Sequence, residues 1–160
     1  MSGCGMGDEK QEVSSTVFVM GTAVTTQVYG EDAENQKNTV EQELYQVDRE
    51  ISWRNDTSVV SDFNTYGRAD ISSARKVIEM AVEIAQQSHG AFDPTIQPVS
   101  VLWDFGGDNE RLPDSVEISE ALKSVGYEHL LLDGEWLSAD DDNVKLELGA
   151  IGKGYALERA

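Results

Sequence analysis

The residues best suited to chemistry lie near the end of the chain, in the run Lys145 Leu146 Glu147 Leu148 Gly149 Ala150 Ile151 Gly152 Lys153 Gly154 Tyr155 Ala156. Val144, Leu146 and Leu148 alternate with Lys145 and Glu147, the pattern of a half-buried strand. The glycines that follow allow a tight turn and expose backbone N–H groups. A helix is expected to begin there. Its first N–H groups lack internal partners and carry the positive end of the helix dipole, so a phosphate beside Ala150 to Gly152 would be stabilised, with Lys153 adding a full charge. The helix has only about ten residues before the terminus. It looks cut in mid-pattern, and the chain is expected to be the front part of a longer protein.

Other chemically suggestive residues are explained more simply. Gly149 to Tyr155 lacks P-loop spacing, and Gly154 stands where a magnesium-holding Ser or Thr would be. Asp104 Phe105 Gly106 spells the kinase triplet with none of its companion motifs. His89 and His129 lack metal-ligand spacing, and Asp140 Asp141 Asp142 Asn143 reads as a solvated turn rather than a calcium loop. On local grounds Asp93 before Pro94 is a turn former.

These groups need a scaffold, and 160 residues with 39% hydrophobic content suffice for one core. Twelve basic against 30 acidic residues give a net charge of −18. That balance excludes nucleic acid as a partner, since phosphate backbones need cations, and any anionic ligand requires a local cluster of N–H groups, lysine or a divalent metal. Cys4 is the only cysteine, so no internal disulfide or cysteine zinc site can form. Met1 Ser2 Gly3 Cys4 has the small residues and cysteine of a lipoprotein cleavage site, followed by a polar tether. No basic or apolar signal region precedes it, and the expectation is that the encoding frame supplies one upstream.

Residues 1–15 are expected to form a disordered, lipoprotein-like tether and 16–160 a single α+β unit. Thr16 to Tyr29 reads as two strands, or one bent strand, around Met20 Gly21 Thr22, with Gly21 at a bulge or a close backbone approach. Residues 33–51 read as a helix with the stripe Val40, Leu44, Val47 and Ile51. Ser52 to Gly67 reads as a surface loop with at most a short helical turn. A second helix is expected from Ser73 to His89, ended by Gly90, and a third over 113–125 with Ile118, Leu122 and Val125 inward. Leu130–Asp133, Glu135–Ser138 and Asn143–Leu148 read as antiparallel strands, with Asp133 Gly134 as a hairpin turn.

Five segments agree in order with one family. Met20 Gly21 Thr22; Ser52 Trp53 through Ser58, Ser61 and Asn64; Gly90 Ala91 Phe92 Asp93 Pro94 Thr95 with Trp103; Val125 Gly126 Tyr127; and Leu146 through Ala156 together resemble the FAD:protein FMN transferases, the ApbE family. The resemblance implies an ApbE-like α+β fold truncated before its C-terminal part. It implies magnesium-dependent transfer of the FMN half of FAD to a threonine or serine of a recipient flavoprotein, releasing AMP. It also implies that Lys153 and Glu147 contact FAD, that Ala150 offers a carbonyl to Mg²⁺, and that Met20, Trp53, Ala91, Phe92 and Asp93 line the flavin and adenosine pocket. Many members are exported lipoproteins, so the resemblance implies a place in the periplasm or at the cell surface, with a lipid on Cys4.

The departures matter as much. Glu147 and Glu158 replace family aspartates, Val59 a common glutamate, and Trp53 a usual tyrosine. The family's catalytic histidine and its metal-binding Asp and Thr fall beyond residue 160, so no catalytic residue is assigned and the chain alone is expected to be inactive. The alternatives are a non-catalytic FAD-binding lipoprotein, an FAD pyrophosphatase of the same family, or an interaction domain that inherited the fold.

Overall fold

The structure, a computed structural model, describes residues 11–160. Cys4 and the cleavage-site reading lie outside the described residues. The chain opens with a hairpin, β1 (Glu12–Val19) and β2 (Thr22–Tyr29), paired from Glu12↔Tyr29 to Val19↔Thr22. Gly21 is neither at a bulge nor at a close approach but in the two-residue turn, Met20 at φ 51° and Gly21 at φ 67°, where left-handed geometry suits the twist of a tight hairpin. β1 begins at Glu12, so residues 12–15 belong to the strand and not to the tether. Val13 and Ser15 face inward opposite Val28 and Thr26.

Helix α1 (Ala33–Ile51) lies against this ribbon. Leu44, Val47 and Ile51 are buried while Val40 is half-buried, as its stripe requires. Next comes α2 (Val59–Tyr66), where a loop was expected. Its sequence is rich in β-branched, Ser, Asp and Asn residues, which are poor helix formers, and eight residues are too few for a sustained period. Tertiary burial decides instead, since Val60 and Phe63 are fully buried, each such side chain contributing about 1.5–3 kcal/mol. Ser58 caps the start through Ser61 N–H (2.9 Å), and Gly67 ends the helix at φ 68°.

The strand β3 (Arg68–Asp70) leads to α3 (Arg75–Gln87), which buries Val77, Ile78, Ala81 and Ala85. Val82 on the same helix is half-buried. A short helix α4 (Gln97–Ser100) and α5 (Ser115–Ala121) follow, α5 starting with Asp114 and Glu117 in a reciprocal capping box. The third helix is thus shorter than expected, a tight turn over Leu122–Ser124 closing it, and Leu122 is 48% exposed rather than inward. β4 (Leu130–Asp133) and β5 (Trp136–Ala139) form the expected hairpin, and β3 joins it in the order β3-β5-β4.

Residues 143–148 are the main correction to the expected strands. Val144, Leu146 and Leu148 are buried in alternation, but the segment joins no sheet ladder and makes only an isolated parallel bridge, Lys145 to Ile96. Its backbone is satisfied by a side chain: Asn64 bonds both polar atoms of the Leu146 peptide. The closing helix α6 (Gly149–Arg159) packs on α1 through Gly152 and through Arg159, which reaches Glu43 (2.7 Å) and Glu50 (2.9 Å). Strand pairs in both sheets are antiparallel, in keeping with the α+β expectation. Among the described residues no helix is long and apolar enough to cross a membrane.

Candidate functional site

Two clefts meet at Glu147. The first, about 700 Å³, is lined by Ala91, Phe92 and Asp93, by Gly126 and Tyr127, and by Glu147 and Ala150. The second, about 530 Å³, is lined by Met20, Trp53, Arg54, Phe105, Gly149, Gly152, Lys153 and again Glu147. The eight residues that the sequence nominated are therefore brought together, Met20, Trp53 and Lys153 on one side of Glu147 and Ala91, Phe92, Asp93 and Ala150 on the other. Both volumes lie in the range of small-molecule sites, and two joined clefts suit a ligand with two bulky ends.

The first cleft is built by side chains that hold loops. Asp93 Oδ1 accepts from Thr95 N–H (2.8 Å) and Thr95 O–H (2.6 Å), and its Oδ2 accepts from Tyr127 N–H (3.0 Å). Buried Thr95 in turn accepts from Gly126 N–H (2.8 Å). Both carboxylate oxygens of Asp93 are thus engaged within the protein, and its part in the site is to fasten 91–95 to 125–127. Tyr127 Cε1 would lie 3.9 Å from a Cβ on Gly90, which sits at φ 79°. His89, also at positive φ, stands at the rim of this cleft. On the outer side of Gly126 the His129 ring pairs with Asp140 (2.7 Å), and that hydrogen bond raises the imidazole pKa above its ordinary value.

The second cleft carries more charge. Lys153 is exposed, and its Nζ lies 3.5 Å from Gly149 O, a weak contact that leaves the ammonium available to a ligand. Arg54 lies inside the Ser52–Ser58 segment that carries the resemblance, yet the sequence reading nominated only its neighbour Trp53. Its guanidinium covers one face of the Trp53 ring at 4.1 Å and reaches Phe105 O at 3.4 Å. An aromatic ligand must therefore use the other face of Trp53 or displace Arg54. Phe105, half of the apparent kinase triplet's interest, is 69% exposed and stacks with Trp103 at 6.3 Å.

The start of α6 differs from the expected phosphate cradle. Ile151 and Gly152 N–H both reach the Leu148 carbonyl (3.2 and 2.8 Å), so only Gly149 and Ala150 keep N–H groups at the helix start. Glu147 Oε1 lies 3.2 Å from where a Cβ on Gly149 would stand. A carboxylate already faces the positive end of this helix, a favourable placement of about 0.3–1 kcal/mol that works against a second anion. Phosphate is better served by Lys153 and Arg54 on the side of the second cleft.

Among the described residues no three His, Cys, Asp or Glu side chains gather into a metal-binding group. Ala150 is exposed in the first turn of α6, and one backbone carbonyl falls short of the octahedral oxygen set that magnesium requires.

The model of the ApbE family matches residues 20–160. A curated relative named FAD:protein FMN transferase, from Klebsiella pneumoniae, is 29% identical, the match covering 99% of this chain and 50% of the relative. The crystal structure of an ApbE protein from Thermotoga maritima superposes with a TM-score of 0.86 at 30% identity, over 93% of this chain and 51% of that one. The apo form of the Pseudomonas stutzeri flavinyl transferase ApbE gives 0.80 at 28% identity, over 94% and 51%. The chain spans about half the length of the curated relatives it matches. With residues 20–160 under the family model and the same arrangement of helices and sheets in two solved relatives, the chain belongs to the ApbE family.

Proposed function

We propose that this chain forms the FAD-binding part of an FAD:protein FMN transferase, acting on a threonine or serine of a recipient flavoprotein. The observation that carries the reading is the pair of clefts sharing Glu147, with cations on one side only. FAD has two ring systems joined by a diphosphate, and the two clefts offer room for both ends. In the transfer, the acceptor hydroxyl oxygen bonds to the FMN phosphorus, the diphosphate P–O bond breaks, AMP departs with that electron pair, and the hydroxyl proton passes to a base. In this reading that base is a histidine in the half of the relatives' length that this chain does not span.

What this chain contributes is binding and orientation. Lys153 and Arg54 offset diphosphate charge that a protein of net charge −18 would otherwise repel. Trp53 and Phe92 supply flat apolar surface for the rings. The Asp93–Thr95–Gly126 bonds keep the first cleft open and rigid. Magnesium, when bound, would neutralise phosphate oxygens; Ala150 O is the donor this chain would offer, and the remaining ligands would come from the diphosphate and from outside these residues. Export and a lipid on Cys4 belong to the same proposal, resting on Met1 Ser2 Gly3 Cys4 and the polar residues after it.

Titration of flavin fluorescence with the 160-residue chain tests the reading. Saturable FAD binding, competed by FMN and by AMP separately, is expected, with no covalent flavin on a threonine-bearing acceptor. An unsaturable signal insensitive to either competitor would overturn it.

A further inference from the structure

The Glu147 carboxylate has one oxygen tied and one open. Its Oε2 accepts from Ser100 O–H, while Oε1 lies beside Gly149, and Glu147 is the residue that lines both clefts. Ser100 ends α4 and is half-buried, and its hydroxyl has a second acceptor in range, the Gln97 carbonyl at 3.2 Å. A serine hydroxyl carries one proton, so the two acceptors compete, and the bond to the ionised carboxylate is the stronger. The surrounding backbone keeps the pair in register: Glu147 N–H donates to Pro94 O (2.8 Å), Ile96 bridges Lys145, and Val99 anchors α4 in the core. Without a partner, a half-exposed glutamate would sample many rotamers.

We propose that Ser100 is a positioning residue: it fixes the Glu147 carboxylate so that Oε1 stands as a hydrogen-bond acceptor at the divide between the clefts. A carboxylate repels a diphosphate but accepts from O–H and N–H groups, so it recognises a sugar or ribityl hydroxyl or a ring N–H of the bound dinucleotide. The inference rests on the FAD reading above. It also gives the extra methylene of Glu147 a purpose, since that length brings the carboxylate to Ser100.

The test is a double-mutant cycle on the 160-residue chain with Ser100→Ala, Ser100→Thr, Glu147→Asp and the combination Ser100→Ala with Glu147→Asp. Aspartate withdraws the carboxylate by one C–C bond, about 1.5 Å, out of reach of Ser100. In thermal unfolding without ligand, Ser100→Ala should lower Tm by about 2–4 °C beside Glu147 and by under about 1 °C beside aspartate. In FAD titrations it should weaken binding about five- to tenfold beside Glu147, not at all beside aspartate, and Ser100→Thr should restore affinity. Additive effects on unfolding would show that the bond does not form and overturn the proposal. Coupled unfolding with unchanged FAD affinity would overturn the positioning role alone. Failure of the unsubstituted chain to bind FAD would overturn the functional reading and this role with it.

Discussion

Asn64 closes on the Leu146 peptide from both sides, its Nδ2 donating to the carbonyl at 2.9 Å and its Oδ1 accepting from the N–H at 2.6 Å, across 82 positions of sequence. One side chain thereby does for residues 145–147 what a neighbouring strand does in a sheet. It also sets the height of Glu147, the next residue, at the divide between the clefts.

Asn64→Ala leaves the backbone N–H and C=O of buried Leu146 without these partners. Two lost hydrogen bonds and their desolvation should cost about 2–4 kcal/mol. Urea unfolding measures it, with exposed Thr65→Ala as the control. Equal midpoints for the two variants would refute the clamp.

Lys153→Met keeps the aliphatic stem and removes the charge. Because Lys153 is exposed, solvent screening limits the loss of FAD affinity to roughly fivefold. Arg54→Met should act similarly, and the doubly substituted chain should show a weaker dependence of FAD binding on salt. Lys145→Met, whose ammonium meets Asp142 O at 3.1 Å outside the clefts, should change little. If neither cleft cation moves the affinity by more than about twofold, the diphosphate does not lie there.

Gly152 of α6 packs against Ile51 at the end of α1. A Cβ there would come within 2.7 Å of Ile51 Cδ1. Alanine gains about 1 kcal/mol in helix propensity, but overpacking costs about 1–3 kcal/mol, so Gly152→Ala should destabilise by about 1 kcal/mol. Ile51→Val removes the offending methyl and, combined with Gly152→Ala, should cost less than the two changes summed. Denaturant midpoints for the four chains give the coupling directly.

His129 has its pKa raised chiefly by the hydrogen bond to Asp140, with burial opposing and the charges of Asp140, Asp141 and Glu128 adding. A folded-state value above the unfolded one means the pair stabilises the protein below the ordinary imidazole pKa of about 6.5, and that this stability is lost as pH rises through the folded value. His129→Gln should therefore lower the unfolding midpoint near pH 5.5 and leave it almost unchanged near pH 8.5. A loss that is the same at both values would mean the ring packs against Gly126 without its charge mattering.

The sequence by itself determined the features that repeat along the chain or that depend on neighbours. Nineteen residues with apolar positions three and four apart place α1 at Ala33–Ile51, as expected, because so long a stripe can bury itself in only one way. Asp133 Gly134 marks the second hairpin, which turns through Gly134, at φ 58°, and Glu135, whereas Met20 Gly21 left two strands or one bent strand open. The order of five motifs was enough to identify the family resemblance and the residues that line both clefts. Tertiary structure decided the rest. Helix α2 forms from weak helix formers because Val60 and Phe63 reach the core, which no window of eight residues reveals. Residues 143–148 alternate as a strand does, yet Asn64 and Pro94 take their backbone bonds in place of a ladder. Arg54 on Trp53 and Ser100 on Glu147 are contacts of single side chains, the latter between residues 47 apart, and spacing carries no sign of them. Periodicity records which face is buried; what a polar side chain meets at the edge of that face depends on how distant segments are brought together.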